Sequence, residues 1–417
     1  MNTPAFRPAP DAPPLNLVLI GSGHYATGQT ALSGRTPTDK DTGVLLPSAL
    51  FLRAQGKVGR IAVCGQDGDK LQDIQARIGH WAQDPGIDPR FEAFPGPGQH
   101  DPQAWLRALD TLPQPCAALI ALPDALHAEA MLACAQRGIP FLIVKPAVTT
   151  LDDYYRVREA MPAGLLGMID YHKVFDEANL LLLDDLRQQA YGRVHHVSSL
   201  MSQRRDMIRI YERWLRANPR CNINHYLGSH YIHMTGFLTG AVPLDVRATQ
   251  QFGHIREAWG LAVADTIQTQ IRWRAADGHV FASHHIAGWA DPGRTESMTY
   301  QQMHLLTENG HVFSDQRLRG TRKVLEASGP QAPNPHFFNL SRSLLGGWNL
   351  TTKYGYQSVA HFVDLAAAGR GAADDLHLPT LAESEHVTAI LEAADRSLAR
   401  DSAVVSIVRE GDRLHLI

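Results

Sequence analysis

Three groups of residues in this chain have types and spacings suited to chemistry. The first is Lys145, beside Pro146 at the end of the apolar run 141–144. The second is Gly21-Ser22-Gly23-His24-Tyr25-Ala26, directly after the buried-strand candidate 15–20. The third is Tyr226, His230 and His233, spaced i, i+4, i+7 as on one face of a helix. The glycine segment fits the dinucleotide fingerprint with alanine at its third position. Its first glycine permits a tight turn, and its second lets a pyrophosphate approach the backbone. The N-terminus of a following helix then favours the phosphate charge. The competing use is a plain tight turn. For the histidine face, a polar pocket wall, packed imidazoles and a metal site are the three uses to weigh. No carboxylate or cysteine joins it at ligand spacing, so no metal is expected.

These groups need elements to hold them. Residues 116–146 read as strand, helix, strand: 116–122 is apolar, Asp124 is placed to cap a helix, Gly138 ends it, and 141–144 is apolar again. Such a unit implies parallel strands buried on both faces, with ligands at their carboxyl ends. Lys145 is thus a cation placed where a ligand sits. Strands are also expected at 15–20, 60–64 and 91–94, and helices at 44–54, 70–78 and 103–109. Strands alternating with helices imply an α/β domain with a doubly wound parallel sheet. After residue 150 the pattern changes. A helix at 151–160, a strand at 164–169 and a helix at 175–189 precede strands at 194–200, 246–252, 266–274, 279–286, 298–307 and 311–314. Glu308-Asn309-Gly310 is a hairpin signal. This part reads as a mostly antiparallel sheet, closed by helices near 354–368 and 381–400.

A chain of 417 residues has room for two cores. Apolar content of 44% and charged content of 19% fit a soluble globular protein. A net charge of −3 without a basic stripe argues against nucleic acid or an anionic membrane as partner. No apolar run reaches spanning length and no signal pattern opens the chain. Cys64, Cys116, Cys134 and Cys221 are scattered in apolar runs and read as buried thiols of a cytoplasmic protein.

The helix due after the glycine segment is interrupted by the Thr/Ser/Gly/Asp-rich stretch 33–43. The second strand ends at Gly65, where a ribose-binding acid is expected, and Asp67 two residues on is the candidate. Arg35 and Lys40 suit a 2′-phosphate instead. NAD is the expected cofactor, with NADP open.

Together these residues resemble the Gfo/Idh/MocA family, the glucose–fructose oxidoreductase and inositol dehydrogenase group, over nearly the whole chain after the tail. The family's "TP…H" segment corresponds to Leu122-Pro123 followed by His127, and its "EKP" to Val144-Lys145-Pro146. Its "Y-x-R-R-F-D" is similar to Tyr171-His172-Lys173-Val174-Phe175-Asp176, and its "D-x-G-x-H" to Tyr226-Leu227-Gly228-Ser229-His230. The segment 379–398 resembles the family's C-terminal helix. The resemblance implies a loose tail (1–14), a Rossmann domain (15–147) and an α/β domain with a large open sheet (148–417), whose C-terminal helices are free to pack back on the first domain. That second domain would bind substrate and form a homodimer or homotetramer through its sheet. The implied cofactor contacts are Gly21, Ser22, Gly23, His24, Tyr25, Asp67, Leu122, Pro123, His127 and Lys145. The family glutamate is Val144 here and the family aspartate is Tyr226, so a lysine–aspartate–histidine triad does not carry over whole.

Oxidising a secondary alcohol requires a base for the hydroxyl proton while hydride leaves. Histidine suits this, and His230 is assigned the role. A cation that stabilises developing alkoxide is the role of Lys145. Tyr226 either moves a proton or packs. Asn224 and His225 offer donors and acceptors for a polyol, or cap the helix that follows. Tyr171, Lys173 and His233 complete the expected substrate wall. Three functions follow: an NAD(P)-dependent sugar or cyclitol dehydrogenase, a redox-neutral enzyme that recycles its NAD, or a dinucleotide or sugar sensor.

Overall fold

The computed structural model describes residues 13–28, 42–83, 86–218, 221–326, 329–338, 341–342, 344, 348–369 and 378–417. Most of the expected tail, and Arg35 and Lys40 of the inserted loop, lie outside the described residues. The chain divides into two compact units. The first comprises Met1–Val144, Arg156–His172 and Phe338–Leu381; the second comprises Lys145–Tyr155, Lys173–Phe337 and Ala382–Ile417.

In the first unit the strands are β1 (Leu15–Ile20), β2 (Val58–Cys64), β3 (Glu92–Phe94), β4 (Cys116–Ile120), β5 (Phe141–Val144) and β6 (Gly167–Asp170). They form one parallel sheet in the order β3-β2-β1-β4-β5-β6. Every residue of β1 and β4 is buried; β4 is apolar throughout, and in β1 only Asn16 is polar, its side chain hydrogen-bonded to the Pro113 carbonyl and the Arg60 amide. Strand order reverses between β1 and β4, so their carboxyl ends form the switch point where such sheets bind ligands. The helices between β1 and β5 are α1 (His24–Thr27), α2 (Leu45–Ala54), α3 (Gly68–Ile78), α4 (Ala104–Thr111) and α5 (His127–Gln136), and the expected helix Leu151–Ala160 lies between β5 and β6. Two details, the place of β6 and the role of Asp124, depart from the sequence reading. Strand β6, read as part of the later segment, pairs with β5 from Phe141↔Gly167 to Val144↔Asp170. The helix Tyr354–Ala367, one of the C-terminal helices left free to pack back on the first domain, belongs to this unit and touches β1 and α2. Asp124 does not stand at the cap of α5: a 3₁₀ turn, Asp124–Leu126, precedes that helix, Leu126 takes the cap position, and the Asp124 side chain is buried.

In the second unit the strands are β7 (Val194–Arg204), β8 (Val242–Gln251), β9 (Thr266–Arg274), β10 (Val280–Asp291), β11 (Thr299–Thr307) and β12 (His311–Asp315). The sheet runs β12-β11-β7-β10-β9-β8 and continues into the terminal strands Val405–Glu410 and Arg413–Leu416. Only β7 and β10 pair in parallel; the other pairings are antiparallel. Residues alternate between exposed and buried along β9, the mark of a sheet covered on one face. The helices Ser229–Thr239 and Ser384–Ala399 belong to this unit, and the latter packs on β8. The hairpin at 308–310 joins β11 to β12 as its sequence predicts. The helix Ile208–Ala217 is new relative to the sequence reading. All four cysteines are buried and free. Among the described residues no helix is long and apolar enough to cross a membrane.

Candidate functional site

At the switch point the chain leaves β1 through Gly21, whose φ of 111° lies in the region that favours glycine. A Cβ there would stand 2.1 Å from the Ala121 carbonyl oxygen, so only glycine fits against the exit of β4. Gly23 occupies the cap position of α1 without any side-chain cap. The helix is a single turn, ended by Gly28 at φ 72°, and the Val44 amide donates to the Tyr25 carbonyl at 2.7 Å. The helix that follows the glycine segment is therefore one turn, His24–Thr27, and the next helix among the described residues begins at Leu45. The N–H groups of the turn are what such a cradle offers an anion.

Other expected cofactor residues have engaged side chains. Asp67 is exposed and caps α3, with Oδ1 accepting from the Asp69 amide at 3.0 Å. His127 Nε2 lies 2.9 Å from the Leu122 carbonyl and fixes the turn through Pro123. Ser22 and His24 are buried. Tyr25 donates its hydroxyl to Asp170 Oδ2 at 2.5 Å, and its ring stacks on His172 at 6.2 Å. His172 in turn stacks on Tyr354 at 5.6 Å. Ser358 donates to the other Asp170 oxygen at 2.6 Å. Burial pushes the Asp170 carboxyl up, but His172, Ser358 and Tyr25 together hold it below its ordinary value. This network locks the glycine turn to the end of β6. Sequence reasoning missed Asp170 and His172; an acid and a histidine at a strand end were the available signal.

In the second unit Lys145, the residue after β5, is half-buried. Its ammonium donates to the Tyr226 backbone carbonyl and lies 4.5 Å from the centre of the Tyr226 ring. Tyr226 sits in a π-helical turn, Asn224–Gly228, that leads into the helix Ser229–Thr239. The i, i+4, i+7 spacing therefore does not run through one uniform helix. Gly228 makes the turn possible: a Cβ there would lie 2.1 Å from Asn224 Oδ1. The Tyr226 hydroxyl pairs with that of Tyr211 at 2.5 Å and faces the Gln203 amide at 3.5 Å. Trp289 donates to Gln203 at 3.2 Å, and the Tyr211, Trp214 and Trp289 rings surround Tyr226 at 4.8–6.3 Å. These aromatic partners come from distant segments, and no local signal marked them.

His230 is buried in the first turn of the helix that follows. His233 stacks on Phe237, and burial lowers its imidazole to about 3, so it is neutral at pH 7. Asn224 is buried, and its Oδ1 accepts from Thr269 at 3.2 Å. His225 Nε2 lies 2.9 Å from Asp395. Lys173 is buried and donates to Gln301 at 2.6 Å and Gln316 at 2.5 Å. Tyr171 is buried in the first unit, which pushes its phenol up. Among the described residues no group of three His, Cys, Asp or Glu is placed to hold a metal.

The sequence matches no family model and no curated protein. Solved structures do match. A myo-inositol 2-dehydrogenase from Lactobacillus plantarum superimposes at TM-score 0.68 and 15% identity, over 95% of this chain and 100% of that one. GenD2 from gentamicin A biosynthesis, in complex with NAD, gives 0.67 at 18% identity over 97% and 99%. A scyllo-inositol dehydrogenase from Lactobacillus casei, with bound NAD(H) and scyllo-inositol, gives 0.66 at 12% identity over 94% and 99%. At such identities the likeness establishes the fold.

Proposed function

We propose that this chain is an NAD(P)-dependent oxidoreductase acting on a secondary alcohol, or its carbonyl, in a sugar or cyclitol. The observation that carries this reading is the Lys145 ammonium, held on the carbonyl and ring of Tyr226 two residues before the Gly228-Ser229-His230 helix start. Solved structures of the same fold include dehydrogenases named for inositols, and some hold NAD. The glycine turn fits a dinucleotide, because Gly21 leaves space that any Cβ would fill at the switch point. Gly21, Ser22 and Gly23 would hold the pyrophosphate, and Asp67 the ribose. When bound, the nicotinamide supplies the acceptor or donor of hydride.

The remaining work falls to side chains of the second unit. Lys145 places positive charge against the oxygen that becomes an alkoxide. His230 takes the hydroxyl proton during oxidation and returns it during reduction. Tyr226 orients Lys145. Lys173 and His233 are engaged in packing and hydrogen bonding and have no part in this scheme.

A second reading, redox-neutral turnover with the hydride returned, is favoured by the Tyr226–Tyr211 hydroxyl pair standing where the resemblance calls for a carboxylate. The test is incubation with NAD and a panel of inositols and aldoses, following reduced-nicotinamide absorbance and product together. Stoichiometric absorbance change with product supports the dehydrogenase. Product without net absorbance change supports the second reading. Bound cofactor with no product from any substrate overturns both and leaves a binding protein.

A further inference from the structure

We infer that Asp395, on the C-terminal helix Ser384–Ala399, is a positioning residue that sets the direction of the Lys145 ammonium through the π-helical turn. The functional part of this inference rests on the reading of Lys145 proposed above; the structural link does not.

A π turn carries looser bonding than an α-helix and persists where its surroundings hold it. Here the holding groups are explicit. Asn222 caps the turn: its Oδ1 accepts from the backbone amides of Asn224 at 2.9 Å and His225 at 3.1 Å. Its Nδ2 donates to Asp395 Oδ1 at 2.8 Å. The other oxygen, Oδ2, lies 2.9 Å from Nε2 of His225, which is wholly buried within the turn. One carboxylate therefore accepts a hydrogen bond from the capping residue and stands in close contact with a residue of the turn itself. The next residue is Tyr226, whose carbonyl accepts from Lys145. The contacts run in series from Asp395 to Asn222 and His225, through the turn, to the Tyr226 carbonyl and Lys145 Nζ. The Asp395 side chain is 35% exposed, while the imidazole it stands against is buried.

The test measures how readily formaldehyde and borohydride methylate Lys145 in the full-length protein. Exposed Lys323 serves as the internal standard, and peptide mass spectrometry is the readout. In Asp395→Ala and Asn222→Ala the turn loses its clamp, and labelling of Lys145 relative to Lys323 rises several-fold. Asp395→Asn, which keeps the shape and one acceptor, gives a smaller rise and guards against misfolding of the alanine variant. Glu385→Gln loosens the same helix at Tyr155 and Arg409 and leaves Lys145 labelling unchanged. Wild-type labelling in all three clamp variants, or an equal rise in Glu385→Gln, overturns the inference. With a substrate in hand, kcat falls about tenfold to a hundredfold in Asp395→Ala while cofactor affinity holds. A rise in labelling without a fall in kcat upholds the link and overturns the catalytic reading of Lys145 instead.

Discussion

Lys145 and Tyr226 are joined twice: the ammonium donates to the tyrosine's own carbonyl and lies 4.5 Å from the centre of its ring. Two contacts on one partner fix both the distance and the bearing of the charge. A cation over an aromatic face contributes about 0.5–2 kcal/mol, depending on how far water is excluded.

Lys145→Ala removes the charge and both contacts. Turnover is expected to fall below detection while the circular dichroism spectrum and melting temperature stay near wild type. Lys145→Met keeps the stem and should be equally inactive. Near-normal turnover in either variant removes Lys145 from the mechanism.

Gly21→Ala tests the glycine turn. The new Cβ would meet the Ala121 carbonyl at 2.1 Å, at a φ of 111° that alanine rarely adopts. A stability loss of about 1–3 kcal/mol is expected, together with weakened dinucleotide binding. Urea unfolding and quenching of protein fluorescence by NADH read the two effects separately.

Gly228→Ala tests the π turn. Its Cβ would stand 2.1 Å from Asn224 Oδ1, on an amide that also accepts from Thr269. Relief requires the amide to move, at a cost of about 1–3 kcal/mol. A melting temperature equal to wild type would show that the turn adapts freely.

Asp170 makes stability depend on acid. Its folded carboxyl is held below the ordinary value of 3.8, so its contribution is complete above that value and is lost as pH falls through the lower, folded one. Tyr25→Phe and Ser358→Ala each remove a donor to this buried group. Each should lower stability by about 1–3 kcal/mol near neutrality and shift the acid unfolding midpoint upward. An unshifted acid midpoint in both variants would separate Asp170 from acid stability.

His233 and His285 act at milder pH. Burial lowers both imidazoles to about 3, in His285 with help from His284 and His196. The folded state thus stays neutral while the unfolded state takes up protons below the ordinary value of 6.5. Stability is expected to fall as pH drops from there, by about 1.4 kcal/mol per pH unit for each histidine. Urea midpoints across this range should show a shallower slope in His233→Gln and His285→Gln; an unchanged slope counts against the assignment.

Most of the architecture was legible in the chain, because local patterns decide it. Short apolar runs at 116–120 and 141–144, and the run 15–20 broken only by Asn16, have the length and flanking turns of strands buried on both faces, and Thr266–Arg274 alternates because one face is wet. The glycine turn, Lys145 at a strand end and the Gly228-Ser229-His230 helix start were equally plain, since each depends on a few neighbouring residues. Tertiary structure alone decided what those residues touch. Tyr25 faces Asp170 and His172, 145 and 147 positions away. The turn that carries Tyr226 is closed by Asp395, whose partners Asn222 and His225 lie 173 and 170 positions back along the chain. Periodicity reports which face of an element is buried. It carries no term for a hydrogen bond between side chains far apart in sequence, and here such bonds determine how the candidate catalytic lysine is held.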